Sequence, residues 1–269
     1  MESKKSNPIG LFDSGVGGLT VAHAIHTILP QEQMIYYGDT AHLPYGDKSR
    51  DTIIHYALGI TDFLLEKRCK VILIACNSAS SNAFDEVKEH VGDRAVVLNV
   101  IDPVVDYVAG DETIRNVGVI GTKATIHSKT YEKKLAGRNS RIGVSSLATP
   151  LLVPMIEEGF VFDDISNAII RSYLSRRELA EIDTLILGCT HYPIIRNQIS
   201  RFYNFEVNVP DSSLIVAEQL QQFLGERNLL SEHRKHPDTF FVSEYTPYFE
   251  VIANMFFNEK ILLEKKSIW

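Results

Sequence analysis

"LIACNSASS", residues 73–81, is an apolar run that stops at a cysteine and continues in small polar side chains, and "LILGCTHYP", residues 185–193, repeats the arrangement. Each reads as a buried strand with a thiol at its carboxyl end. Upstream of each stands a second matched stretch, "IGLFDSG" (residues 9–15) and "VGVIGTK" (residues 117–123), aligned as apolar-Gly-apolar-apolar-small-hydroxyl. Gly10 lies 66 residues before Cys76 and Gly118 lies 71 before Cys189, so both pairs fit one duplicated unit of similar length. In open parallel sheets the loops at the carboxyl ends of the strands form the ligand crevice. Two such units face to face therefore place Cys76 and Cys189 on opposite walls of one cleft.

Outward from these stretches the chain keeps a βαβ rhythm, short apolar runs rich in Val and Ile between longer amphipathic ones. Strands are expected near 8–13, 33–37, 71–75, 95–100, 117–121, 141–147, 184–188, 205–209 and 239–243, and helices over 18–29, 51–67 and 212–224. The expected fold is α/β: two similar parallel-sheet domains related by pseudo-twofold symmetry, with the site in the cleft between them. The expected division is 1–101 plus 210–269 for the first domain and 102–209 for the second.

Composition narrows the function. Hydrophobic residues are 45% of 269, enough for a substantial core. The balance of 27 Lys+Arg against 34 Asp+Glu gives −7 with no long basic run, which argues against a nucleic-acid partner. "MESKKSNP" lacks the apolar core of a secretory signal and no apolar run is long enough for a bilayer, so a cytoplasmic protein without membrane contact is expected. Three cysteines without a framework of spacings should be free thiols.

A thiolate is a usable base and a thiol a usable acid near neutrality, because the free pKa is only about 8.5. Thiols on opposite sides of a carbon can remove a proton from one face and return one to the other, inverting a stereocentre without a cofactor. "FDSGVGG" (12–18), "GDTAHLPYG" (38–46), "ACNSAS" (75–80) and "GCTHYP" (188–193), in this order, resemble the glutamate racemases of the cofactor-independent aspartate/glutamate racemase family. The resemblance runs from about residue 8 to 220. It implies that Cys76 acts on D-glutamate and Cys189 on L-glutamate, with Asp13 and His191 as their polar partners. Glu157, the first acid of "VPMIEEG", matches a carboxylate beside that histidine, with Glu158 the adjacent alternative. Asp13-Ser14, Pro44-Tyr45-Gly46, Asn77-Ser78 and Thr190-His191 match substrate-binding groups. The resemblance further implies a role in peptidoglycan synthesis, no metal or cofactor, and a homodimer. The family usually has threonine where this chain has Ser78, and commonly arginine where it has His42.

Other readings of the same residues are a zinc site from Cys76, Cys189 and His191, a thiol hydrolase using Cys189 and His191, and a binding protein without turnover. Neither C-x-x-C nor H-E-x-x-H spacing occurs, which weakens the first. The second leaves Cys76 unexplained, and loss of a thiol would have favoured the third. Cys69 in "EKRCKV" has no polar cluster after it and is expected to pack as a small hydrophobe. "DSGVGG" lacks both the lysine of a P-loop and the spacing of a dinucleotide fingerprint.

Overall fold

Nine strands form two separate all-parallel sheets in the computed structural model, which describes residues 2–269. They are β1 (Ile9–Asp13), β2 (Met34–Gly38), β3 (Val71–Ile74), β4 (Val96–Asn99), β5 (Asn116–Gly121), β6 (Gly143–Ala148), β7 (Thr184–Gly188), β8 (Thr239–Val242) and β9 (Leu263–Lys265). The first sheet has the order β4-β3-β1-β2-β8-β9 and the second β6-β5-β7. Every residue of β1, β2, β3 and β7 is buried, as unbroken apolar runs require when helices cover both faces of a parallel sheet.

Alternate side chains of the first sheet feed different cores. Ile9, Leu11, Tyr36 and Leu73 pack with Ile25, Leu220 and Phe256 from helices Leu19–Ile28, Ser212–Glu226 and Pro247–Phe257. Phe12, Tyr37, Ile72 and Ile74 pack on the other face with Ile53, Ile60 and Leu64 of helix Arg50–Glu66. The first of these cores continues into the second sheet through Ile120, Leu185 and Leu187. Shared packing of this kind fixes the strand ends of one sheet relative to those of the other, because close-packed interiors deform little.

The duplication is visible in the centres of the sheets: β1 lies between β3 and β2 as β5 lies between β7 and β6. Beyond that the halves differ. The expected strand at 205–209 is reduced to one bridge, Thr184 to Asn208. Asn204 and Phe205 have left-handed backbones (φ 51° and 63°), and Phe205 is exposed, so the run does not start as a strand, although Val207 and Val209 still pack on the core. The chain instead returns to the first sheet, where β8 joins β2 and β9 joins β8.

Candidate active site

Six strand ends converge on one cavity of about 210 Å³. Ser14 and Gly15 follow β1, Leu43 to Asp47 follow β2, Cys76 to Ser78 follow β3, Thr122 and Lys123 follow β5, Thr149 and Pro150 follow β6, and Cys189 to His191 follow β7. The first sheet contributes the carboxyl ends of β3, β1 and β2 and the second those of all its strands, where parallel sheets place their ligands. The thiols of Cys76 and Cys189 line this cavity from different sheets.

Cys76 is the N-cap of helix Asn77–Asn82, its Sγ accepting from the Ala79 N–H at 3.5 Å and donating to Ser14 Oγ at 3.6 Å. Asp13 lies behind it, fully buried and outside the cavity lining. Its Oδ2 accepts from the N–H groups of Gly15 (3.3 Å) and Gly18 (3.0 Å), and its Oδ1 has no partner among the described residues. Burial raises the Asp13 carboxyl despite the nearby positive charge of His191 and those backbone donors. Burial, reinforced by the charge of Asp13, raises the Cys76 thiol as well. This wall therefore holds a proton.

The other wall is a relay: Cys189 Sγ lies 3.7 Å from His191 Nδ1, and His191 Nε2 lies 3.0 Å from Glu157 Oε1. Burial alone would lower the His191 pKa, but the contacts with Cys189 and Glu157 outweigh it and hold the imidazolium well above its usual range. Of the two adjacent acids, Glu157 makes this contact and lines the cavity. The Phe256 ring stands edge-on to His191 at 5.2 Å.

Gly17 and Gly18 of "GVGG" owe their place to close approach. A Cβ on Gly17 would come within 2.4 Å of the His191 ring, and one on Gly18 within 2.7 Å of Asp13 Cβ. One short turn thus makes room for the polar partners of both thiols.

The remaining expected residues all line the cavity. Tyr131 donates to Asn77 Oδ1 at 2.8 Å, and Ser78 Oγ meets Thr122 Oγ1 at 2.8 Å, so both are held by groups after β5. The Tyr45 hydroxyl is spent on Asp39 Oδ2 at 2.6 Å, leaving the ring and backbone of 44–46 to the cavity. Thr20 Oγ1 donates to the Thr190 carbonyl at 3.0 Å. His42 does not line the cavity: its Nδ1 meets Asp39 at 2.9 Å and its ring stacks on Tyr56 at 4.1 Å. Cys69 packs against Gly10, with its thiol pushed up to about 12 by burial.

Sequence reasoning missed Thr122, Lys123, Thr149 and Tyr131. The signal for Thr122 was present, because the alignment of "IGLFDSG" with "VGVIGTK" puts it opposite Ser14. Nothing in the sequence pointed to Tyr131, which lies in a helix of the second half.

The family described as Asp/Glu/Hydantoin racemase matches residues 18–220. A glutamate racemase from Geobacter metallireducens is 40% identical over 94% of this chain and 93% of its own length. The structure of glutamate racemase from Francisella tularensis in complex with D-glutamate is 39% identical, superposes with a TM-score of 0.91 and is covered over 98% of both chains. A glutamate racemase isoform from Bacillus anthracis, 31% identical, gives 0.92 over 98% of both chains. With two matched strand-end thiols on one cavity and relatives of this similarity over nearly its whole length, the chain belongs to the Asp/Glu/Hydantoin racemase family.

Proposed function

We propose that this protein interconverts L- and D-glutamate by moving protons at Cα between two cysteines, without metal, pyridoxal phosphate or nucleotide. The observation that carries the reading is the placement of Cys76 and Cys189 at equivalent strand ends of two sheets, lining one cavity, each with its own polar partner. L-Glutamate loses its Cα proton to the Cys189 thiolate, the electron pair of the C–H bond passes to the carbanion, and the Cys76 thiol protonates the opposite face. D-Glutamate runs the same steps in reverse. His191 steadies the negative charge of Cys189 and is itself held by Glu157, while Asp13 holds the proton-bearing state of Cys76. Ser14, Tyr45, Gly46, Asn77, Ser78 and Thr190 bind the substrate through hydroxyl, amide and backbone groups, and Pro44 shapes the wall beside them.

Residues 1–101 with 210–269 form the first domain in this reading and 102–209 the second, in keeping with the distribution of strands between two sheets. The protein would act in the cytoplasm as a homodimer and supply D-glutamate for peptidoglycan. No helix among the described residues is long and apolar enough to cross a membrane.

Solvent exchange tests the chemistry. In D₂O each enantiomer should gain deuterium at Cα as it converts to the other, with the product fully labelled at early times. Binding without exchange would defeat the proposal.

A further inference from the structure

The protein carries a net charge of −7, yet the open cleft that continues outward from the cavity is lined by Lys48, Arg50, Lys123 and His127, with Asp47 its one acidic side chain. Gly46, Asp47 and Lys123 line both the cavity and the outer cleft, so they form the throat between them. There Lys123 Nζ lies 3.0 Å from Asp47 Oδ1. The pair joins the helix after β5 to the turn after β2, and so crosses from one sheet's half of the site to the other's. Both side chains are about half exposed, 50% and 58%, and an ion pair so exposed adds little to stability and opens readily.

The charges of the lining make Lys123 decisive. It is the one Lys or Arg side chain lining the cavity among the described residues. Glu157 is already matched by His191, and the carboxylate of Asp47 is paired with Lys123. An amino acid with two carboxylates and one ammonium brings further negative charge to this throat, and a narrow opening concentrates the field it meets.

We propose that Lys123 is a specificity-determining residue, which neutralises Asp47 at the throat and exchanges that partner for the side-chain carboxylate of an acidic amino acid passing into the cavity. The proposal rests on the racemase reading above. Lys48 extends the positive field outward from the throat, while Arg50, on the same cleft, is paired with Glu86.

Steady-state kinetics of the wild type, Lys123→Gln, Lys123→Arg and Asp47→Asn with both enantiomers, at low and high salt, test it. Lys123→Gln should raise KM for both by about three- to tenfold at low salt, with a far smaller change in kcat, and the difference should shrink in high salt. Lys123→Arg should restore KM, and Asp47→Asn should lower it. An unchanged KM in Lys123→Gln, a rise indifferent to salt, or a rise in Asp47→Asn would overturn the proposal while leaving racemisation by the wild type intact. A wild type that does not racemise glutamate would remove the functional reading, and this proposal with it.

Discussion

At Asp13, stability and chemistry pull in opposite directions. The side chain is fully buried and its carboxyl is raised by desolvation, so proton binding favours the fold. Its favourable contribution is present below the unfolded value near 3.9 and is lost as pH rises through the raised folded value, where the buried charge develops. Asp13→Asn keeps an acceptor for the Gly15 and Gly18 N–H groups and removes that charge. Urea denaturation as a function of pH should show this pH dependence lost in the variant, while racemisation falls sharply. At Gly17 the conflict is steric: an alanine methyl would drive the His191 ring from its contact with Cys189, so Gly17→Ala should lower kcat on the order of 100-fold. The pH profile of kcat/KM belongs to the same scale. The proposed mechanism needs one thiolate and one thiol, so it predicts a bell-shaped profile. The raised Cys76 and His191 values place its alkaline limb above the free-thiol region near pH 8.5. Because the enantiomers have equal free energy, the same profile should appear in both directions; a monotonic rise to high pH would contradict a two-base mechanism.

Elements of one sheet position residues that extend from the other. Helix Thr130–Arg138 of the second half reaches Asn77 at the end of β3 through the Tyr131 hydroxyl. Tyr131→Phe removes one buried hydrogen bond and leaves the Asn77 amide free to turn, so KM for glutamate should rise by up to about tenfold with the fold retained; a substrate titration of the variant checks it. Such bonds explain what the sequence did and did not disclose. Strands β1, β3, β5 and β7 were legible because a strand buried on both faces must be an unbroken apolar run, and the cysteines were legible because the runs end at them. Tyr131 was not, since a tyrosine on a helix carries no mark of the asparagine it meets 54 positions away. The expected strand at 205–209 failed for a local reason, the left-handed turn at Asn204 and Phe205, which apolar content does not reveal. The choice of Glu157 over Glu158 likewise needed the direction in which helix Leu152–Glu157 points its last side chain.

Over the whole molecule, the duplication predicted two similar parallel-sheet domains, and the structure has a six-stranded and a three-stranded sheet because the chain after residue 209 returns to the first sheet. That return is fastened away from the cavity. Lys70 Nζ, at the start of β3, donates to Glu32 Oε2 at 2.6 Å and to the Leu229 carbonyl at 2.8 Å, while Glu32 accepts from the Ser231 N–H at 2.8 Å. Both charged side chains are almost wholly buried. Lys70→Met would strand the Glu32 carboxylate and should cost about 3–5 kcal/mol in urea denaturation, with the activity of the folded enzyme little changed. Dialysis against EDTA should leave racemisation intact if the thiols alone carry the chemistry; activity lost and then restored by zinc would point to a metal. The central claim, that two opposed thiols each serve one face of the substrate, meets its most direct measurement in elimination from a glutamate analogue with a leaving group on the β-carbon. Elimination requires proton abstraction but no reprotonation from the opposite side, so one thiol suffices. Cys76→Ala should consume the L-analogue and spare the D-analogue, and Cys189→Ala should do the reverse, while neither variant racemises glutamate. Equal loss of elimination with both enantiomers in both folded variants would contradict the account.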